Sequence, residues 1–106
     1  MRPIIIESPY RGNVEENLRY LDECIRDSLT RGEAPIASHK LYPGALDDNI
    51  PAERDQGIRA GYAWWKFATL IAFYVDLGWS PGMHRAYQRA KTMQLKTEIR
   101  KLHEDH

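Results

Sequence analysis

Helices and strands alternating around one uninterrupted apolar segment predict an α/β fold: a three-layer Rossmann-like or flavodoxin-like parallel sheet of about four strands with helices on both faces. Three observations lead there. An apolar strand at residues 3–6 runs straight into an amphipathic helix. The segment Thr69-Leu70-Ile71-Ala72-Phe73-Tyr74-Val75 is apolar throughout, the pattern of a strand covered on both faces. The better helices open on capping signals, Asn13 with Glu16 three positions on, and Ser80 followed by Pro81.

Taken in order, the first helix follows Asn13, with Val14, Leu18, Leu21, Ile25 and Leu29 as its apolar stripe and Gly32 as its stop. Residues 34–39 read as a short strand, and Pro35 assigns it to an edge because proline cannot donate to a central ladder. Residues 40–49 hold turn formers and no helical period, so they read as a long loop of the kind that covers ligands. A second helix starts near Asn49 and Pro51 and is expected to bury Ile58, Tyr62 and Trp65. Gly57 and Gly61 lie four apart on its flank, and their cost in helix stability implies a close neighbour. The apolar run at 69–75 is the sheet's centre. After it, Met83, Ala86, Tyr87, Ala90 and Met93 form the stripe of a third helix, and residues 96–102 alternate weakly as a fourth strand.

The 106 residues suit one domain, assigned to residues 1–102 with a short flexible tail at 103–106. Fifteen basic and fifteen acidic residues cancel, which argues against an electrostatic grip on duplex nucleic acid. Cys24 is the one cysteine and falls within a helical pattern, where it reads as a small buried hydrophobe. Ile4-Ile5-Ile6 is too short for a signal-peptide core and residues 70–75 are too few to cross a membrane, so the expected location is cytoplasmic.

In open α/β sheets ligands bind beyond the carboxyl ends of the strands, near the point where strand order reverses. The residues expected there are Ser8, Pro9, Tyr10, Arg11, Gly12 and Asn13 after the first strand, His39 after the second, and Asp76, Ser80, Gly82, Met83 and Arg85 around the third strand's end. Gly12 permits close backbone approach, and the first helix's N-terminus favours an anion. Arg11 is suited to a bidentate phosphate clamp, against surface pairing with Glu15 or Glu16. Tyr10 serves either to stack on a ligand or to pack on the first helix. His39 is either a ligand contact or a histidine hydrogen-bonded at a strand end.

Two segments carry a resemblance. Ser8-Pro9-Tyr10-Arg11-Gly12, together with Asp76-Leu77-Gly78-Trp79-Ser80-Pro81-Gly82-Met83, resembles the nucleoside 2-deoxyribosyltransferase-like proteins, closest to a branch of small bacterial and phage proteins. Ala37-Ser38-His39, Leu46-Asp47-Asp48 and Ile50-Pro51-Ala52-Glu53-Arg54 fit the same branch, and the likeness spans nearly the whole chain. It implies a pocket for a nucleoside or nucleotide. In catalytic members a Glu in the last helix attacks the anomeric carbon or stabilises the sugar cation. The corresponding position here is Ala86, and residues 83–95 contain no carboxylate.

Glycosidic cleavage needs a carboxylate by the sugar and a group to protonate the leaving base. Glu7, Asp47, Asp48 and Asp76 are the carboxylates near the expected cleft. Asp76 either touches a ribose hydroxyl or caps the Gly78 turn, and Asp47 and Asp48 read as solvated loop residues. His103-Glu104-Asp105-His106 lacks the spacing of a zinc motif, since its histidines are three apart rather than four. Trp64 and Trp65 cannot both face one core, and an oligomer interface is the preferred use of one of them. Of the six basic residues Arg85, Arg89, Lys91, Lys96, Arg100 and Lys101, most read as a solvated face. The expectation is a homo-oligomeric binder that sequesters a nucleotide-like small molecule, without cofactor, metal or catalytic residue. By the resemblance, the sequestered molecule in a phage setting is a nucleotide immune signal in the host cytoplasm. The alternatives are a nucleoside or nucleotide N-glycosidase or 2-deoxyribosyltransferase, and a protein-interaction module.

Overall fold

The isoleucine run near the start of the chain forms β1 (Arg2–Glu7), in a computed structural model that describes residues 1–103. It is followed by α1 (Val14–Thr30), β2 (Glu33–Ile36), the single turn α2 (Ser38–Leu41), α3 (Pro51–Ala63), a 3-10 turn (Trp65–Phe67), β3 (Leu70–Tyr74), α4 (Pro81–Thr92) and β4 (Thr97–Arg100). The sheet order is β2-β1-β3-β4, all parallel, with Ile4 opposite both Pro35 and Leu70. The chain leaves β1 toward one edge and returns to β3 on its other side, so strand order reverses between β1 and β3. Pro35 lies on the edge strand β2, where its missing N–H costs no ladder bond.

Pleating assigns alternate residues to opposite faces. Ile4, Ile6, Leu70, Ala72 and Tyr74 pack with Tyr20, Leu21 and Cys24 of α1. Ile5, Ile71 and Phe73 pack with Trp65 and with Met83, Ala86 and Ala90 of α4. Every residue of β3 is buried, as its composition predicts. Cys24 is fully buried, and burial pushes its thiol up to about 12, which keeps it protonated.

Several buried stripes differ from the periodic reading. In α1 the sheet-facing residues are Asn17, Tyr20, Leu21, Cys24 and Ser28, while Val14 and Leu29 face water. The polar members are tolerated because each finds a partner: Asn17 Nδ2 donates to the carbonyls of Tyr10 and Arg11, and Ser28 Oγ donates to Glu33. Residues 38 and 39 belong to α2 rather than to β2, so the segment after β2 is a helical turn and not wholly loop. Ile58 is exposed because only the end of α3, through Tyr62 and the following Trp65, reaches the sheet. Met93 is exposed at the C-terminal cap of α4, just past the helix.

Arg100 is not on a solvated face. It is 4% exposed and forms a fork-to-fork pair with Glu33, Nη1 to Oε1 at 2.8 Å and Nη2 to Oε2 at 2.7 Å. Nη1 also donates to the Tyr74 hydroxyl at 3.0 Å, and that hydroxyl donates to Asp27 at 2.7 Å. The pair ties the two edge strands together beneath the end of α1. Hydrogen bonds from Arg100 hold the Glu33 carboxyl below its usual range against the opposing effect of burial.

Among the described residues no helix is long and apolar enough to cross a membrane.

Candidate functional site

A cavity of about 310 Å³ opens beyond the carboxyl end of β1, on the face of the sheet that carries α3 and α4. Its position follows from the register. Ile5 faces α4, so two residues on Glu7 emerges on that same side and lines the cavity. Tyr62 and Trp65 stand beside Glu7 at the inner end. Tyr10 and His39 make one wall, their rings stacked with centroids 4.8 Å apart. Ser80, Pro81, Gly82 and Arg85 bring in the start of α4.

The cover is α3 with the segment between it and α2. Two glycines let these approach. A Cβ on Gly61 would lie 2.8 Å from Ser38 Cβ, and one on Gly57 would lie 3.4 Å from Leu46 Cδ1. The close neighbour that the glycine spacing implies is therefore the α2 turn and the loop after it. Asp47 shapes that loop, with Oδ1 accepting from the Asn49 N–H and its own N–H donating to Glu53.

Glu7 is the residue with the most altered chemistry. No hydrogen-bond partner or counter-ion reaches its carboxyl among the described residues, and burial alone pushes its pKa up to about 8. Burial thus favours its neutral, protonated form around pH 7. His39 is moved the other way, since burial lowers its pKa and nearby Asp48 opposes this only in part. Guanidinium groups stand at the rim. Arg11 Nε is 3.7 Å from Asp48 Oδ2, and Arg11, Asp48 and Arg54 also line an adjoining open depression, which places them at the mouth. Arg89 lies over the Tyr62 ring at 4.2 Å and fixes that aromatic wall from behind.

Of the residues expected from the sequence, Tyr10, Arg11, His39, Ser80, Gly82 and Arg85 line the cavity. Arg11 pairs with Asp48 rather than with Glu15 or Glu16. Ser8, Pro9, Gly12, Asn13, Asp76 and Met83 do not line it, for reasons the backbone supplies. Ser8 is one position past Glu7 and is buried, its Oγ without a hydrogen-bond partner. Gly12 adopts φ 99° with open space around it, so it serves the turn into α1 and not a close approach. Asn13 caps α1 by accepting from the Glu16 N–H at 3.1 Å, and its amide meets the Glu16 carboxylate. With Glu15 and Glu16 in its first turn, that helix start repels anions instead of cradling them. Met83 is buried under α4, and Ser80 caps the helix through the Met83 N–H.

Asp76 faces α1. Tyr74 points to that side and Val75 to the other, and Asp76 Oδ1 accepts from the Tyr20 hydroxyl at 2.6 Å and the Leu102 N–H at 2.9 Å. Oδ2 accepts from the His103 N–H. Burial works to raise the Asp76 pKa, yet these bonds together hold it below its ordinary value. Its role is to fasten the segment after β4, which differs from both capping the Gly78 turn and touching a sugar. Ala86 is 1% exposed against the sheet and does not border the cavity.

Sequence reading named Glu7 among the carboxylates near the cleft without assigning it to the site, and it did not assign Ser38, Tyr42, Glu53, Arg54 and Tyr62 there either. The signal for Glu7 was the pleat: it shares parity with Ile5. Trp65 is buried at the inner end of the cavity, whereas Trp64 is 41% exposed with its Nε1 donating to the Tyr42 hydroxyl at 2.8 Å. Residues 104–106, which hold most of the terminal histidine motif and of the expected tail, lie outside the described residues. Among the described residues no group of His, Cys, Asp and Glu is arranged to hold a metal ion.

Nothing among curated proteins or solved structures matches this chain. A family model described as Domain of unknown function (DUF7768) matches residues 2–100, and the chain belongs to that family.

Proposed function

We propose that the cavity binds a nucleotide-like small molecule and holds it without rapid chemistry. The observation that carries this reading is the convergence, at the strand-order switch point, of aromatic walls from Tyr10 and Tyr62 with guanidinium groups from Arg11, Arg54 and Arg85. Planar bases stack on aromatic faces, and phosphates are recognised by arginine forks. The start of α4 adds the Gly82 N–H, with no acidic residue in that helix's first turn. Ala86 stands where the resemblance to nucleoside 2-deoxyribosyltransferase-like proteins would put the catalytic Glu, and it faces the sheet rather than this cavity. That resemblance extends the reading to sequestration of a nucleotide signal.

A second reading, N-glycosidic cleavage, is favoured by one observation: protonated Glu7 shares the cavity with Asp48 and Glu53. An acid that protonates the base and a carboxylate that offsets sugar cation charge are what such cleavage needs. Mass spectrometry of small molecules released by heat, after incubation with nucleotide extracts, separates the two. An intact nucleotide at near-stoichiometric yield, lost in Arg11→Ala, supports the binder. Free base and sugar phosphate accumulating with time make the protein an enzyme, and finding neither retained nucleotide nor cleavage products overturns both.

A further inference from the structure

We infer that Glu7 reads the base of the bound nucleotide by donating a hydrogen bond to an acceptor ring nitrogen, selecting an edge in which that nitrogen sits beside an exocyclic amine, as in adenine and cytosine. The inference rests on the nucleotide reading above and names the ligand class for the same cavity. Geometry orients the ligand. Arg11 and Arg54 are at the mouth, shared with the open depression, whereas Glu7 is at the inner end beside Tyr62 and Trp65. A nucleotide with its phosphate at the mouth therefore turns its base toward the Glu7 carboxyl, between aromatic surfaces that suit a planar ring.

That carboxyl makes no hydrogen bond or ion pair with another described residue and borders the cavity, so it is open to a ligand. A neutral carboxyl offers one donor and one acceptor side by side. The amidine edge of adenine or cytosine offers the complement, a strongly accepting ring nitrogen and an N–H donor. Guanine's N1–H and N2–H₂ present two donors, which match an ionised carboxylate instead. Burial favours the neutral form of Glu7 at pH 7, with its pKa raised to about 8.

The groups that face Glu7 leave this titration distinct. On the loop after β1, Tyr10 is raised by burial, and on α3, Tyr62 is raised by burial and by Glu7 itself. His39 on α2 is lowered by burial, with Asp48 opposing this. Arg11, Arg54 and Arg85 supply the cavity's guanidinium groups, Asp48 and Glu53 its other carboxylates and Tyr42 its remaining phenol.

The test is calorimetric titration with adenosine, cytidine and guanosine 5′-monophosphates, using wild type, Glu7→Gln and Glu7→Ala, each checked for folding by circular dichroism. The expected result at pH 7 is binding of the adenosine and cytidine nucleotides at least about tenfold tighter than the guanosine one. For the adenosine nucleotide, Kd in wild type rises about tenfold from pH 7 to pH 9 as Glu7 ionises. Glu7→Gln retains a donor beside an acceptor, so it keeps the preference and loses the pH dependence; Glu7→Ala loses the preference. Equal, pH-independent binding of all three nucleotides overturns the inference while leaving the nucleotide reading intact. Failure of all three to bind overturns both.

Discussion

Glu7 and Ser8 are neighbours with opposite surroundings, and the difference is a single step of the pleat. Placing Glu7 at the cavity's inner end has a consequence for stability. Its carboxyl pKa rises on folding from 4.5 to about 8, so the folded state favours the protonated form. Its contribution is fully present below pH 4.5 and is lost as pH rises through 8, by up to about 1.4 kcal/mol per pH unit across that window. Glu7→Gln, which stays neutral, is accordingly expected to match wild type in urea denaturation at pH 4.5 and to exceed it increasingly toward pH 8. A constant difference across that window would contradict the burial of this group. The Glu33–Arg100 pair makes the opposite case, because truncating one partner strands a charge. Arg100→Met is expected to cost about 3–5 kcal/mol, read from the urea midpoint. A loss below about 1 kcal/mol would mean that Glu33 finds water or another cation.

At the scale of elements, α3 is a cover held by close approach. Gly61 packs on Ser38 so tightly that Gly61→Ala must push α3 away from α2, with a stability loss of about 1–3 kcal/mol despite alanine's better helix propensity. Gly82→Ala, with its nearest neighbours at 3.8 Å, has ordinary room for a Cβ and serves as the control. An unaltered melting temperature in Gly61→Ala would show that the cover is looser than described. Much of this element was legible beforehand, since two glycines four apart in a helical pattern demand a neighbour. The caps at Asn13 and Ser80 and the edge position of Pro35 were legible for the same reason: each is a local signal with a local cause. Ile58 was not, because a 3.6-residue period assumes that a helix lies along the sheet, and α3 touches it only at its end. Nor was Arg100, whose partner is 67 residues away.

For the whole molecule, the parallel sheet and its helices on both faces were readable from alternation alone, and with them the end of the sheet at which the cavity opens. Ser8 and Asp76 were expected beside the cavity and lie on the other side of the sheet, a placement that strand parity already contained. Once β1 and β3 are in register, Ile5 and Glu7 share one face while Tyr74 and Asp76 share the other. One side then carries the cavity and the other a polar clamp, in which Tyr20 and Asp76 hold the backbone of Leu102 and His103. Asp76→Asn should therefore weaken that clamp and lower stability without changing nucleotide affinity, a separation visible by pairing thermal melts with calorimetry.

The account's central claim is that the α3/α4 side of the β1–β3 switch point is a nucleotide site. Backbone amide chemical-shift mapping by ¹H–¹⁵N NMR, with adenosine 5′-monophosphate added stepwise, tests it most directly. The account predicts saturable shifts at Glu7, Tyr10, His39, Gly57, Gly61 and Gly82, with Tyr20 and Asp76 unmoved; shifts centred on Tyr20 and Asp76, or none at all, would contradict it.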